Sequence, residues 1–445
     1  MAELLRRGQK VQTTNLGVAI EVDQFLGAGT QGEVYRATMG KNAIALKWFF
    51  PEYIAQDRRL QERLLKAIQA GAPSDRFLWP MGLASLQGNP SFGYVMPLRR
   101  SNFKGIVDLL KKKINLSFRG LATAGFETSH SYFQLHSKGF CYRDINWGNI
   151  FLDPQSGEVC ICDNDNVDVD GRPGPIAGTQ SFMAPEIVRG EKLPSTQTDL
   201  HSLAVLLFLM FFIHHPLHGK LEQGIHCFNP AAMKKLYGTH PVFIFDPNNQ
   251  TNRPVPGEQD NPIIFWGIYP AFLKNRFVEA FSKGLYDPNS RVGETVWRGD
   301  MIRLRDSIFF CSHCGQENFY DRETMIAQHK PLPCWNCKRE VTFPPRIRFG
   351  DVKKRNPKVV MLNYKTQLFP HHIDEKKMYD FSKPVAEVVQ HPTEPNRWGL
   401  RNLSKEKWVL ALADGTMKDV PPGNTAPFIK GIKIHFGKVE GEIQA

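Results

Sequence analysis

Three features of the 445-residue sequence predict a multidomain α+β chain. A glycine-rich turn near the N-terminus joins two strands, and an apolar strand with one lysine follows before the first helical stretches. Past residue 305 stand two C-x-x-C pairs. From about Gly350 the pattern becomes short alternating strands divided by turn residues. The length exceeds what one hydrophobic core organises. Hydrophobic content of 42% against 22% charged residues describes a folded chain, not a disordered one.

Residues 1–19 read as a polar, irregular extension with no apolar leader segment. Ile20–Leu26 and Glu33–Thr38 read as strands around Gly27-Ala28-Gly29-Thr30-Gln31-Gly32, with Val34 two residues on. Glycines let backbone curve tightly and approach phosphate oxygens. A G-x-G-x-x-G alone is weak evidence, but here a strand follows and not the helix of a dinucleotide fold. That favours a hairpin lid over nucleotide phosphates.

Ala43–Phe49 is the next strand, and Lys47 is a charge inside it. A snorkelling surface lysine fits the same pattern. A phosphate-binding lysine needs a carboxylate from a following helix. Gln56–Gln69 has helical composition and Glu62 is its only Glu, so Glu62 is the expected partner. Phe92–Leu98 reads as an apolar strand, and helices are expected at Phe103–Lys113 and Leu116–Ser137.

Tyr142-Arg143-Asp144-Ile145-Asn146-Trp147-Gly148-Asn149 places an Asp five residues before an Asn. The first can accept a hydroxyl proton and the second can hold a metal ion. The strand Glu158–Cys162 then ends at Asp163-Asn164-Asp165.

Taken in order, these parts resemble the protein-kinase superfamily. Gly178-Thr179, Met183-Ala184-Pro185-Glu186, Thr198-Asp199 and Asp287-Pro-Asn-Ser-Arg291 extend the resemblance over about residues 20–300. It implies a bilobal protein-kinase fold and phosphoryl transfer from ATP to protein hydroxyls. Asp144 would orient and deprotonate the acceptor, and Lys47, held by Glu62, would orient the phosphates. Gly27, Gly29, Gly32 and Val34 would cover the nucleotide. Asn149 and Asp163 would hold Mg²⁺, with Asp165 a further candidate ligand. The chain would cross between lobes near Pro97–Leu98. Proline lacks an N–H, so Leu98 is the expected donor to the adenine edge, although an ordinary edge strand fits that segment too. The resemblance also implies a Glu186–Arg291 pair and an Asp199 bonded to the catalytic-loop backbone.

Three departures stand out. D-F-G becomes Asp163-Asn164-Asp165, the usual lysine two after the catalytic Asp is Asn146, and Asn164–Gly178 contains no Ser, Thr or Tyr. Phosphorylation inside that segment is therefore not the switch. A pseudokinase scaffold that recruits partners is the competing reading, and small-molecule phosphotransfer a weaker third.

Cys311 and Cys314, with Cys334 and Cys337, form two knuckles whose four thiolates can close a tetrahedron around a structural Zn²⁺. A redox dithiol pair is the alternative. His313 and His329 read as bystanders, and Cys141, Cys160, Cys162 and Cys227 as buried thiols. The last hundred residues read as an all-β sandwich. Gly399–Ser404, Asp414-Gly415, Val420–Gly423 and Gly431–Gly437 resemble the later strands of a forkhead-associated (FHA) domain. That family's phosphate-gripping Gly-Arg is replaced by Ala386-Glu387, which points to a degenerate docking domain.

The expected division is an extension (1–19), a kinase domain (20–305), a zinc ribbon (306–348) and an FHA-like sandwich (349–445). This combination resembles bacterial kinases of tellurite-resistance-type stress systems, which are associated with a PPM-type phosphatase and a von Willebrand A-domain protein. The net charge of +12 divides evenly about Asp306, so no basic domain argues for nucleic acid as a partner. The densest basic run, Lys353-Lys354-Arg355 with Lys358, reads as a linker. The longest apolar run, Leu203–Ile213, is too short to span a bilayer, and a cytoplasmic location is expected.

Overall fold

Six antiparallel strands close a barrel in the order β1-β2-β3-β4-β6-β5: β1 (Lys10–Thr13), β2 (Ala19–Ala28), β3 (Gly32–Met39), β4 (Asn42–Phe49), β5 (Gly82–Ser85) and β6 (Phe92–Pro97). The structure is a computed structural model describing residues 3–174, 177–350, 358–394 and 397–444. The run Lys353-Lys354-Arg355 lies outside the described residues.

The N-terminal segment is not the irregular extension its composition suggests. β1 bridges β2 and β5 and so closes the barrel, with Leu5 and Val11 sealed in its core. A four-residue strand with one buried aliphatic carries too little periodicity to be read from sequence.

Alternation along β4 divides two cores. Ile44, Leu46 and Trp48 fill the barrel. Ala45 and Phe49 face the opposite side, with Leu60 and Leu64 of a helix packed there. Lys47 falls on this second face, paired in register with Val34 and Tyr94. The expected helix Gln56–Gln69 is broken into α1 (Pro51–Gln56) and α2 (Leu60–Ala70). The expected helix Phe103–Lys113 shrinks to β7 (Lys104–Gly105) and α3 (Ile106–Leu110), and Lys112 just beyond turns left-handed at φ 56°.

The helical part is built on α4 (Phe118–Ser137), α5 (Pro185–Arg189) and α6 (Thr196–Phe212). Ser195 and Thr198 form a reciprocal capping box at the start of α6. From Thr198 onward every α6 side chain is buried, as an all-round apolar helix requires.

Two small sheets position the loops between these helices. β9 (Ile150–Leu152) pairs with β10 (Val159–Ile161), and β8 (Phe140–Cys141) with β11 (Asp168–Val169). The loop 142–149 joins β8 to β9, and the segment 162–167 joins β10 to β11. Antiparallel pairing at both ends lays these two connections side by side.

The chain divides into two compact units, Met1–Trp266 with Lys274–Met301, and Gly267–Leu273 with Ile302–Ala445. The second holds a hairpin of β12 (Ile308–Phe310) and β13 (Glu317–Phe319). It also holds β14 (Arg346–Phe349), β15 (Lys358–Met361), β16 (Gln367–Leu368), β17 (Ala386–Gln390), β18 (Trp398–Asn402), β19 (Trp408–Ala411), β20 (Met417–Val420), β21 (Thr425–Pro427), β22 (Lys433–His435) and β23 (Glu440–Gln444). They form a six-stranded sheet, β15-β14-β23-β22-β19-β20, and a four-stranded sheet, β16-β17-β18-β21. Ile347, Trp408 and Ile443 from the first share one core with Leu368, Ala386 and Leu400 from the second. Among the described residues no helix is long and apolar enough to cross a membrane.

Candidate active site

Asp144 is fixed by its own loop and by the segment that follows it. Thr179 Oγ1 donates to Asp144 Oδ1 at 2.8 Å, and Asn149 Nδ2 donates to the Asp144 carbonyl at 2.9 Å. Asn146 takes a structural place here: its amide donates to the Asp144 carbonyl (3.1 Å) and to Thr179 Oγ1 (3.0 Å). The backbone N–H groups of Tyr142 and Arg143 donate to the two Asp199 oxygens at 2.5 and 3.0 Å. Arg143 has a left-handed φ of 73°, and a β-carbon on neighbouring Gly178 would lie 2.8 Å from its carbonyl oxygen. The loop 142–149 and Gly178 thus meet too closely for a side chain.

The Asp199 clamp is itself held. His136 Nε2 lies 3.1 Å from Asp199 Oδ2, and its Nδ1 bonds Glu294. Burial alone would lower this imidazole's pKa; the bonds to the two carboxylates outweigh it and push it up to about 9.

Lys47 reaches the segment 163–165. Its Nζ lies 2.9 and 3.1 Å from the two Asp165 oxygens, 3.4 Å from Asp163 Oδ1 and 2.5 Å from Gln31 Oε1. Burial pulls the ammonium down, but the carboxylates of Asp165 and Asp163 prevail and leave its pKa raised. Tyr94 adds a 2.9 Å hydrogen bond to Asp165 Oδ1.

Glu62 is not brought to Lys47. Its side chain is 51% exposed and pairs with Lys66 and Arg59 on the helix surface. The buried stripe of α2 is Leu60, Arg63, Leu64 and Ala67, and Glu62 falls off it. Arg63 takes the inward position, pairing with Asp57 at 2.6 Å and donating to the Asp165 carbonyl. Asp165, considered from sequence as a metal ligand, has no solvent-exposed side-chain surface, whereas that of Asp163 is 43% exposed. Of the two, Asp163 is open to a metal. Asp163 and the amide oxygen of Asn149 are both oxygen donors, the ligand type that Mg²⁺ takes.

The loop glycines differ in kind. β-carbons on Gly27 and Gly29 would meet nothing, so the surface there is open to a ligand. One on Gly32 would lie 2.1 Å from the Trp48 carbonyl oxygen, so the sheet itself requires Gly32. Val34 and Leu98 pack half-buried against the core beside Tyr94. The backbone past Pro97 lies outside the β4–β6 ladder. Asn164 is fully buried and donates to the Leu78 and Ile161 carbonyls at 2.9 and 3.1 Å.

Arg143 and Asp168, 3.2 Å apart and both buried, were not singled out by sequence, nor were Thr179 as a partner of Asp144, His136 or Tyr94. Buried polar residues without a periodic context give no signal in a single chain. Glu186 and Arg291 pair at 2.7 Å, and Arg291 also donates to the Gln197 and Gly284 carbonyls.

In the second unit the four sulfurs of Cys311, Cys314, Cys334 and Cys337 lie within 4.8 Å of one another. Cys311–Cys337 and Cys314–Cys334 separations are 3.8 and 3.6 Å. A tetrahedron with Zn–S bonds of about 2.3 Å has edges of about 3.8 Å. The two knuckles repeat one turn: Gly315 N–H bonds the Cys311 carbonyl, and Lys338 N–H that of Cys334, with φ of 73° and 60°.

The protein kinase domain model matches residues 20–259, over half of the chain, and the chain belongs to that family. It is 39% identical to protein kinase C delta type of Mus musculus over 95 residues, 20% of this chain and 14% of that protein. It is 28% identical to the serine/threonine-protein kinase PknK of Mycobacterium bovis over 248 residues, 49% of this chain and 21% of that protein. A serine/threonine-protein kinase-like protein of Arabidopsis thaliana is 25% identical over 204 residues, covering 42% and 53%. The chain therefore spans well under two thirds of these relatives.

Proposed function

We propose that the chain is an ATP- and Mg²⁺-dependent protein serine/threonine kinase. The observations that support it are the Lys47–Asp163 and Asn149–Asp144 contacts, joined where the Cys162 N–H bonds the Asn149 carbonyl at 2.8 Å, with Gln31 of the glycine turn bonded to Lys47 and Gly27 and Gly29 open beside it. Lys47 pairs with the α/β-phosphates, and the backbone of the glycine turn covers them. Asp163 and the Asn149 amide oxygen would hold Mg²⁺, which would supply neutralisation of charge on the transferring phosphoryl group. Asp144, oriented by Thr179 and Asn149, accepts the proton of the incoming hydroxyl. Asn146 brings no cation to the phosphoryl group, so charge stabilisation falls to Lys47 and the metal.

The cysteine cluster serves as a structural Zn²⁺ site, and the two-sheet body as an FHA-like docking module. Its Glu387, standing where an FHA domain grips phosphate, is paired with Arg401 at 2.7 Å. A cytoplasmic bacterial stress-signalling module with a PPM-type phosphatase and a von Willebrand A-domain protein is the setting this combination favours.

The test is phosphoryl transfer from γ-labelled ATP to the chain itself or to proteins of the host extract. Transfer that needs Mg²⁺ and is lost in Asp163→Ala supports the assignment. Partner capture that ignores Lys47→Met, with no transfer, supports the scaffold reading instead.

A further inference from the structure

Lys47 is a fully buried cation whose carboxylate does not come from the helix beside it. Asp165 chelates it with both oxygens, at 2.9 and 3.1 Å, and neither side chain is more than 5% exposed. Tyr94 from β6 fixes Asp165 Oδ1 at 2.9 Å, and Arg63 of α2 holds the Asp165 carbonyl, not its carboxylate. Glu62 faces solvent.

We infer that Asp165 is the positioning residue for Lys47, so that placement of the phosphate-binding ammonium is set by the metal-site segment and not by α2. This rests on the phosphotransfer reading above. Asp163 and Asp165 divide two tasks along one short segment: the exposed carboxylate meets the metal and the sealed one holds the lysine. Both tasks share one backbone, so the metal site and the phosphate-binding cation move together. Loss of Glu62 alone would leave Lys47 in place, whereas a movement of α2 reaches Lys47 only through Arg63 and the Asp165 carbonyl.

The test labels Lys47 with an amine-reactive arylsulfonyl fluoride, read by peptide mass spectrometry, alongside kcat and KM for Mg·ATP. Asp165→Asn is expected to label about tenfold faster and to raise KM about tenfold, with Asp165→Glu recovering part of both. Glu62→Gln is expected to leave labelling and KM within about twofold. Tyr94→Phe, which keeps the carboxylate but loosens it, is expected to label about two- to fivefold faster, and serves if Asp165→Asn does not fold. Wild-type labelling in Asp165→Asn and Tyr94→Phe, or fast labelling in Glu62→Gln, overturns the inference. Faster labelling with unchanged KM leaves the ion pair standing and overturns the nucleotide role of Lys47.

Discussion

Arg143 Nη2 lies 3.2 Å from Asp168 Oδ2, with both side chains sealed from solvent. Arg143 also donates to the Arg172 carbonyl at 2.7 Å, and Arg59 approaches the same Asp168 oxygen at 3.9 Å. Kinase activation loops are commonly ordered by an arginine gripping an added phosphate. Here an internal carboxylate already supplies the anion.

Phosphatase treatment is therefore expected to leave the initial rate of transfer unchanged. Asp168→Asn, which leaves Arg143 buried and unpaired, is expected to cost about 3–5 kcal/mol of stability. Urea unfolding reads the second, and a rate assay before and after phosphatase reads the first.

Glu186 and Arg291 form another buried pair, at 2.7 Å. Glu186→Ala strands the guanidinium and is expected to destabilise by about 3–5 kcal/mol. Arg291→Lys keeps the charge but loses the fork that also reaches the Gln197 and Gly284 carbonyls, and is expected to cost less. Denaturant midpoints of the two variants give the comparison.

His136 makes the catalytic-loop clamp sensitive to alkali. Its folded pKa, pushed up to about 9, lies above the ordinary value of 6.5. Stability from the protonated imidazole is full below about pH 6.5 and is lost as pH rises through about 9, to a limit of about 3 kcal/mol. The melting temperature is expected to fall between pH 7 and 10 in the wild type, and to change less in His136→Gln.

The four-cysteine cluster predicts one equivalent of zinc per chain by elemental analysis. Cys334→Ser, which removes a buried ligand bonded by Asn318, is expected to lose the metal and to increase protease cleavage in the second unit. Zinc content that persists in Cys311→Ser and Cys334→Ser alike contradicts the site.

The strands around the glycine turn, the long helices and the cysteine pairs were legible because each carries a local signature. These are glycine spacing, the apolar run of Leu203–Ile213 and the C-x-x-C knuckle. β1 was not, because one buried valine in four residues makes no pattern. Glu62 is the lone Glu of its segment, but Arg63 takes the inward position, and sequence order alone does not fix the rotation of α2. Asp165 was legible as an oddity but not as the lysine's partner, since that contact joins residues 118 apart along the chain.

The most direct measurement compares wild type with Asp144→Asn for Mg·ATP binding and for γ-phosphoryl transfer. Asp144 is held by Thr179 and Asn149, and in the proposed mechanism it serves the acceptor hydroxyl, not the nucleotide. The variant is therefore expected to bind Mg·ATP with nearly wild-type affinity while transfer falls by about a hundredfold or more. Transfer at the wild-type rate in Asp144→Asn, or no transfer by the wild type with any protein acceptor, would contradict the assignment of this site as a protein kinase centre.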